Sequence, residues 1–514
     1  MPTGLSSTEL PGALASEWRA VGDLLHLLRF RAATVPRRRA LLIGASFLVL
    51  TAAAAAVPAY LPGAGELGPG RARDALSLLP TAFAGFQLLT LVAAVASGGG
   101  RELVPREQLA AYPMSPTTDH LGALLLAPLN VAWLLQSWTL LATAAYGLGP
   151  ARWLPGTVAV LLWIAAATAT AQVVGWSVEG VRRRPYGIAL VRGLALAGAA
   201  LGAWLQLTHR LGPLLDTLPT RWFVIGLIEG VDGRWVLTLA AELGILVAAV
   251  VLGAVPAHLA ARVMPRDESD ADAATYAAGP IPRSDLAMLV RVDRASVWRA
   301  VPMRRGLMVL SIGPGVVALA GALTWSQLIL LPGLVASGGA LLFAVNAWCL
   351  DGRGGLWRES LPVAPRVVFA ARAWVCAEFI TVASAITLAI GCLRAGVPDL
   401  ADIAAVVAGS VAVLLHVVSA AMRWSQAHPY SADLHSARAT PAPPLAMIAY
   451  SSKLAASTTV IALLFSGLIR LEAPALALAL GMVMSGWSCL RLSATAGAWA
   501  DPSVRARVVT TVAL

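Results

Sequence analysis

Apolar residues in this chain come in long runs rather than in the alternating or amphipathic patterns of water-soluble proteins. A run of about 20 mostly apolar residues is enough to cross a bilayer as a helix. Such runs fall near 39–60, 77–98, 121–146, 154–177, 186–207 and 235–259, and again near 306–324, 330–350, 367–391, 400–422, 445–469 and 473–492. The longest polar gap after the first run is "RVMPRDESDADAATYAAGPIPRSD", Arg262 to Asp285, whose acids, Gly and Pro read as a linker. The pattern predicts an all-α polytopic integral membrane protein with about twelve transmembrane helices. It divides into a first six-span unit at 1–260, a linker at 261–284 and a second six-span unit at 285–514.

The two halves share short stretches. "VPRRRALLIGASFLVL" from Val35 aligns with "VPMRRGLMVLSIGPGV" from Val301, matching Arg38 and Arg39 to Arg304 and Arg305. "REQLAAYPMSPTTD" from Arg106 aligns with "RESLPVAPRVV" from Arg358 across a short gap. An even number of spans per half makes these parallel repeats. Before the first span of each half lies an amphipathic stretch. "SEWRAVGDLLHLLRFRAAT" sets Trp18, Val21, Leu24, Leu25, Leu28 and Phe30 on one stripe, and "RSDLAMLVRVDRASVWRA" is similar. Each reads as an interfacial helix, its apolar face in the acyl boundary and its arginines among headgroups.

Composition agrees with the run pattern. Of 514 residues, 58% are hydrophobic and 13% charged, against about 25% charged in a soluble protein. So few charges do not cover a water-facing surface of this length. The formal charge of +11 is carried by arginines in the gaps, with Lys453 the sole lysine. With the N-terminus inside, about 30 of the basic residues fall on the inner side and about 8 outside, as the positive-inside rule requires. That predicts a multi-pass protein of the cytoplasmic membrane with both termini cytoplasmic. It also argues against a nucleic-acid partner, since few aromatics accompany the arginines. The first run lies behind Arg37, Arg38 and Arg39 and a long polar segment, so it reads as a span and not a cleaved leader. Cys349, Cys376, Cys392 and Cys489 lie in or beside apolar runs and read as small packing residues.

The inner loops at Arg101–His120 and Leu356–Arg366 stand out. Each holds an Arg-Glu pair (Arg106-Glu107, Arg358-Glu359) and two prolines three apart (Pro113 and Pro116, Pro362 and Pro365). Proline at both ends of a short polar run stops a helix from continuing, and Asp119 or Thr117 is placed to cap the third span. Each loop is then a stiff protrusion set on two membrane helices, so a partner that grips it moves both.

The order of interfacial elbow helix, two spans, an inner loop of the form RE-x-LP-x-x-P-R and four further spans resembles the membrane subunit of ABC-type exporters of the type-2 permease class. The resemblance implies that the inner loop carries a coupling helix which docks on a separate ATPase subunit. One coupling element would comprise Arg106, Glu107, Pro113, Ser115 and Pro116, and the other Arg358, Glu359, Pro362, Pro365 and Arg366. Members usually carry one six-span unit per chain; here two would be fused into one pore. The family also has an outer re-entrant segment between its fifth and sixth spans. "WFVIGLIEG" in the first half is too short to span and fits that description, whereas the second half has only "RLEAP" there. Expected partners are ABC ATPase subunits on the cytoplasmic side and the lipid bilayer.

No G-x-x-x-x-G-K-[ST] occurs, so the chain is expected to hold no cofactor of its own, with ATP bound by the partner. "GAGELG", Gly63 to Gly68, has the spacing of a dinucleotide loop but follows no strand. His428, Asp433 and His435 share an inner loop and read as solvated residues. Two acids lie inside apolar runs, Glu242 and Glu378. Asn130 falls within one position of Glu378 when the halves are aligned, and this pair could line a pathway or bond between helices. An ion-coupled secondary transporter of twelve spans is the alternative reading. A membrane-embedded enzyme is a third, drawing on Glu66, Asp74, His209, Asp216, Glu229 and Asp232 in outer loops, which show no catalytic spacing. Nothing in the chain names the transported substrate.

Overall fold

A computed structural model describes residues 19–27, 29, 37–66, 68, 70–97, 114–129, 131–208, 210–263, 279–280, 282–342, 344–432 and 440–513. Among the described residues every regular element is helical, and nine helices are long and apolar enough to cross a membrane. They are Arg71–Ala96, Trp153–Arg182, Gly187–Gln206, Gly233–Ala261, Trp325–Leu350, Pro365–Arg394, Leu400–Ala427, Ala449–Arg470 and Pro474–Trp499. The protein is thus a polytopic helical membrane protein. The three other runs are helical as well. Val301–Ala320 begins with a basic turn at Arg304 and Arg305, and Arg37–Ala56 shortens to an apolar stretch at Gly44–Tyr60. The run at 121–146 is divided between Pro116–Leu126 and Val131–Leu148 by a 3-10 turn at Ala127–Leu129.

The chain forms two compact units, Met1–Arg266 and Asp267–Leu514. In the first, α1 (Arg37–Ala56), α2 (Arg71–Ala96), α3 (Pro116–Leu126), α4 (Val131–Leu148) and α5 (Trp153–Arg182) are followed by α6 (Gly187–Leu207). Two short helices come next, α7 (Leu211–Asp216) and α8 (Thr220–Glu229), then α9 (Gly233–Leu252) and α10 (Ala254–Ala261). α5 is central, packed against α2, α4, α9 and α10. Phe83, Trp163 and Phe223 form an aromatic stack across α2, α5 and α8, with successive centroids 5.3 Å apart. α6 lies at the edge, its Leu190, Leu194, Leu196 and Leu201 exposed, as a lipid-facing helix requires.

Ser115, not Asp119 or Thr117, caps α3. Its Oγ accepts the Thr118 N–H at 3.0 Å, and Pro116 occupies the first turn, where its missing N–H costs nothing. Thr117 instead meets His258 Nε2 at 3.0 Å. α8 covers the segment that the sequence marks as too short to cross a bilayer. At about 15 Å it is too short to span, and it folds back on α9 through the turn at 230–232.

The second unit holds α11 (Asp285–Arg299), α12 (Val301–Ala320), α13 (Trp325–Leu328) and α14 (Leu330–Leu342), then a 3-10 segment at Ala344–Leu350 and α15 (Gly354–Glu359). After them come α16 (Pro365–Gly391), α17 (Leu400–Ala427), α18 (Pro444–Arg470), α19 (Pro474–Trp499) and α20 (Pro502–Ala513). α17 packs on α14, α18 and α19, and α16 packs on α11, α12 and α14. The amphipathic helix α11 is apolar on two sides. Leu289, Val290 and Val297 are buried, while Leu286, Met288, Val292 and Trp298 face outward. Its inner stripe is therefore protein contact, and its outer face is the one left for lipid.

Candidate functional site

The loop from Asp351 to Arg366 projects from the second unit between two membrane helices. It starts where a span breaks. Asn346 leaves helical geometry, with φ −144° and ψ 70°. The backbone groups freed there are bonded again by side chains from elsewhere. Ser425 Oγ accepts from the Ala347 N–H at 2.9 Å and donates to Ala344 O at 2.8 Å. Asn346 Nδ2 donates to Tyr430 O at 2.7 Å and Pro441 O at 2.8 Å, and Arg372 Nη1 donates to Ala347 O at 2.7 Å. Ala344, Asn346 and Ala347 are fully buried, so the break needs such substitutes because no water reaches it.

Beneath the loop four charged side chains meet. Arg358 on α15 grips Asp293 on α11 with two bonds, Nη1 to Oδ1 at 2.7 Å and Nη2 to Oδ2 at 3.2 Å. Arg358 Nη1 also reaches Asp351 Oδ1 at 3.0 Å. Arg372 on α16 donates to the same two carboxylates, at 2.6 Å to Asp351 and 3.2 Å to Asp293. The Arg372 and Asp293 side chains are 0% exposed. Two positive and two negative groups leave no net charge, and that neutrality is what makes deep burial tolerable. The Arg372 guanidinium also lies 5.4 Å from the Trp348 ring, which stacks on Trp499 at 3.8 Å. From the other side α20 closes on the loop, with Arg505 Nε 3.1 Å from Glu359 Oε2.

Held this way, the loop turns apolar groups outward. Trp357 is 79% exposed, and Leu356, Leu361 and Pro362 are exposed beside it. Arg353 and Arg366 are exposed too. Pro365 opens α16 at its first turn. Of the residues singled out in the sequence, Arg358 is thus turned inward into the ion cluster, Glu359 is paired with α20, and Pro362 and Arg366 lie on the outer surface. Glu378 is bound to α11 through Arg294 Nη2 at 2.7 Å, both groups partly exposed. Ser115 and Pro116 form the start of α3. Arg106, Glu107, Pro113 and Asn130 lie outside the described residues, as do Asp433 and His435. Among the described residues no cluster of His, Cys, Asp or Glu has the makings of a metal site.

Asp293 and Arg372 carry the site's geometry and were not among the sequence candidates. Each left a signal. Asp293 sits on the same helical stripe as Leu289, Val290 and Val297, and a carboxylate on an apolar stripe needs a buried partner. Arg372 stands within an apolar run, where a positive charge is costly unless paired.

The chain matches no family model, and comparison with curated proteins and with solved structures returns no match either. Relatives therefore assign no family.

Proposed function

We propose that this chain is the membrane-spanning permease of an ATP-driven exporter of the ABC type, worked by a separate ATPase subunit on the cytoplasmic side. One observation carries the reading: the loop at 351–366 is locked to α11, α16 and α20 yet presents Leu356, Trp357 and Leu361 to the outside. An exposed apolar cluster of this kind marks a surface that meets another molecule. Rigid attachment to α16 means that force applied to the cluster moves a membrane helix instead of deforming the loop. The arginine bias between spans supports a cytoplasmic position for it. The order of amphipathic helix, two spans and protruding loop recurs in the sequence of both halves, which supports a pore built from two six-span units.

The test is purification from native membranes. The wild-type complex is expected to hydrolyse ATP, and Trp357→Glu combined with Leu361→Glu is expected to abolish that activity while the chain remains folded and membrane-inserted. If the purified chain carries no hydrolysing subunit and substrate export persists in ATP-depleted vesicles, the proposal is wrong.

A further inference from the structure

The first unit holds a buried acid that the exporter reading does not use. Glu242 lies at the middle of α9, is 0% exposed, and neither of its carboxylate oxygens has a hydrogen-bond partner among the described residues. It is not alone. Thr238, one turn earlier on the same face of α9, is also fully buried with an unpartnered hydroxyl. Only Ala249 shares the buried face of α9 with them.

The hairpin of α8 and α9 shows what faces Glu242. A β-carbon on Gly226 would run into Thr238 Oγ1, so the two helices touch there. Both positions are equally far from the turn at Asp232. One helical turn deeper on α9, Glu242 is then level with the first turn of α8, which contains Thr220 and Phe223. Thr220 Oγ1 is buried and unpartnered as well. On α5, the Trp235 Nε1–H bond to Pro155 O at 3.2 Å fixes the register and brings Trp163 to the same level. The indole of Trp163 packs on Phe223, and its Nε1–H also lacks a partner. Three unpartnered polar groups, on Glu242, Thr220 and Trp163, therefore lie level with the start of a half-length helix, with the unpartnered hydroxyl of Thr238 one helical turn away.

The other charged groups on these elements lie elsewhere. Glu229 and Arg234 pair with each other at 2.5 Å near the turn, and Arg221 is exposed. Glu179 pairs with Arg183 at the far end of α5. His258 on α10 meets Thr117. Nothing positive among them balances Glu242.

We propose that Glu242, flanked by Thr220, Thr238 and Trp163, is a proton-binding site inside the first membrane unit. A carboxylate here would lose its hydration and gain no bond in return, while the positive end of the α8 dipole favours the charge. A group under those opposed influences takes up one proton as carboxyl and gives it back as carboxylate, with no other bond made or broken.

The inference stands apart from the ATPase reading, and its test needs no substrate. Membranes containing the full wild-type chain are treated with an apolar carbodiimide, which adds to protonated carboxyls in apolar surroundings, and the peptide carrying residue 242 is read by mass spectrometry. An adduct at Glu242 is expected at acid pH, falling about tenfold for each pH unit above the titration midpoint. Exposed Glu229 serves as the unlabelled control. The proposal is overturned if Glu242 stays unmodified at every pH in folded protein, or if the adduct is indifferent to pH. It is also overturned if sodium at fixed pH protects the residue, because the site would then belong to a metal ion.

Discussion

Two arginines and two aspartates at the base of the 351–366 loop show how a membrane protein keeps charge where water is scarce. Asp293 receives both Arg358 and Arg372, and so does Asp351, so removing any one member strands the others. Breaking a buried pair from one side costs about 3–5 kcal/mol. Arg372→Leu should therefore lower the thermal midpoint markedly in detergent, whereas Arg366→Leu, on an exposed side chain, should change stability by less than about 0.5 kcal/mol. Equal effects from the two substitutions would mean that the cluster does not hold the loop. The same logic governs how charge reversal at Arg358 is read. It would damage the loop's own support, so loss of export in that variant says nothing about docking, and Trp357 is the residue to probe.

The loop's rigidity depends on elements that touch at close range. α12 lies so near α16 that a β-carbon on Gly315 would come within 2.8 Å of Thr387 O, and Thr387 Oγ1 donates to Ser311 O at 2.7 Å across the same seam. Gly315→Val should force the helices apart and cost about 1–3 kcal/mol, as overpacking does. Chemical unfolding against wild type checks it, and an unchanged midpoint would contradict the tight crossing. The seam was unreadable in the sequence, because a glycine within an apolar run gives no hint of what it faces. The helices themselves were plain, since twenty apolar residues in lipid have almost no alternative to a helix. The break at Asn346 was hidden for a different reason. "LLFAVNAWCL" is apolar but for Asn346, and its departure from the helix depends on Ser425 and Arg372, distant in sequence. The prolines mark the start of the 116–126 helix, but Ser115, Thr117 and Asp119 all carry side chains able to cap, and only the fold shows that Ser115 does so.

At the scale of the whole chain, hydropathy alone marks a multi-pass helical membrane protein. Among the described residues, nine of the apolar runs form helical stretches long and apolar enough to cross. The remaining runs were harder to delimit, because Arg304 and Arg305 sit inside the helix at 301–320 and a 3-10 turn divides the run at 121–146. The candidate site was half legible. Its position followed from paired prolines and an Arg-Glu motif, while its chemistry, an inward neutral ion cluster and an outward apolar surface, depends on Asp293 and Arg372 from other helices. The proposed function rests on a mechanical contact between this surface and an ATP-hydrolysing subunit. The most direct measurement places a photo-crosslinking side chain at position 357 in living cells and identifies the captured chain by mass spectrometry. The account predicts a single adduct with a cytoplasmic P-loop ATPase, lost when Leu356 and Leu361 are made acidic. Adducts with lipid alone, or labelling of position 357 from outside the cell, would contradict it.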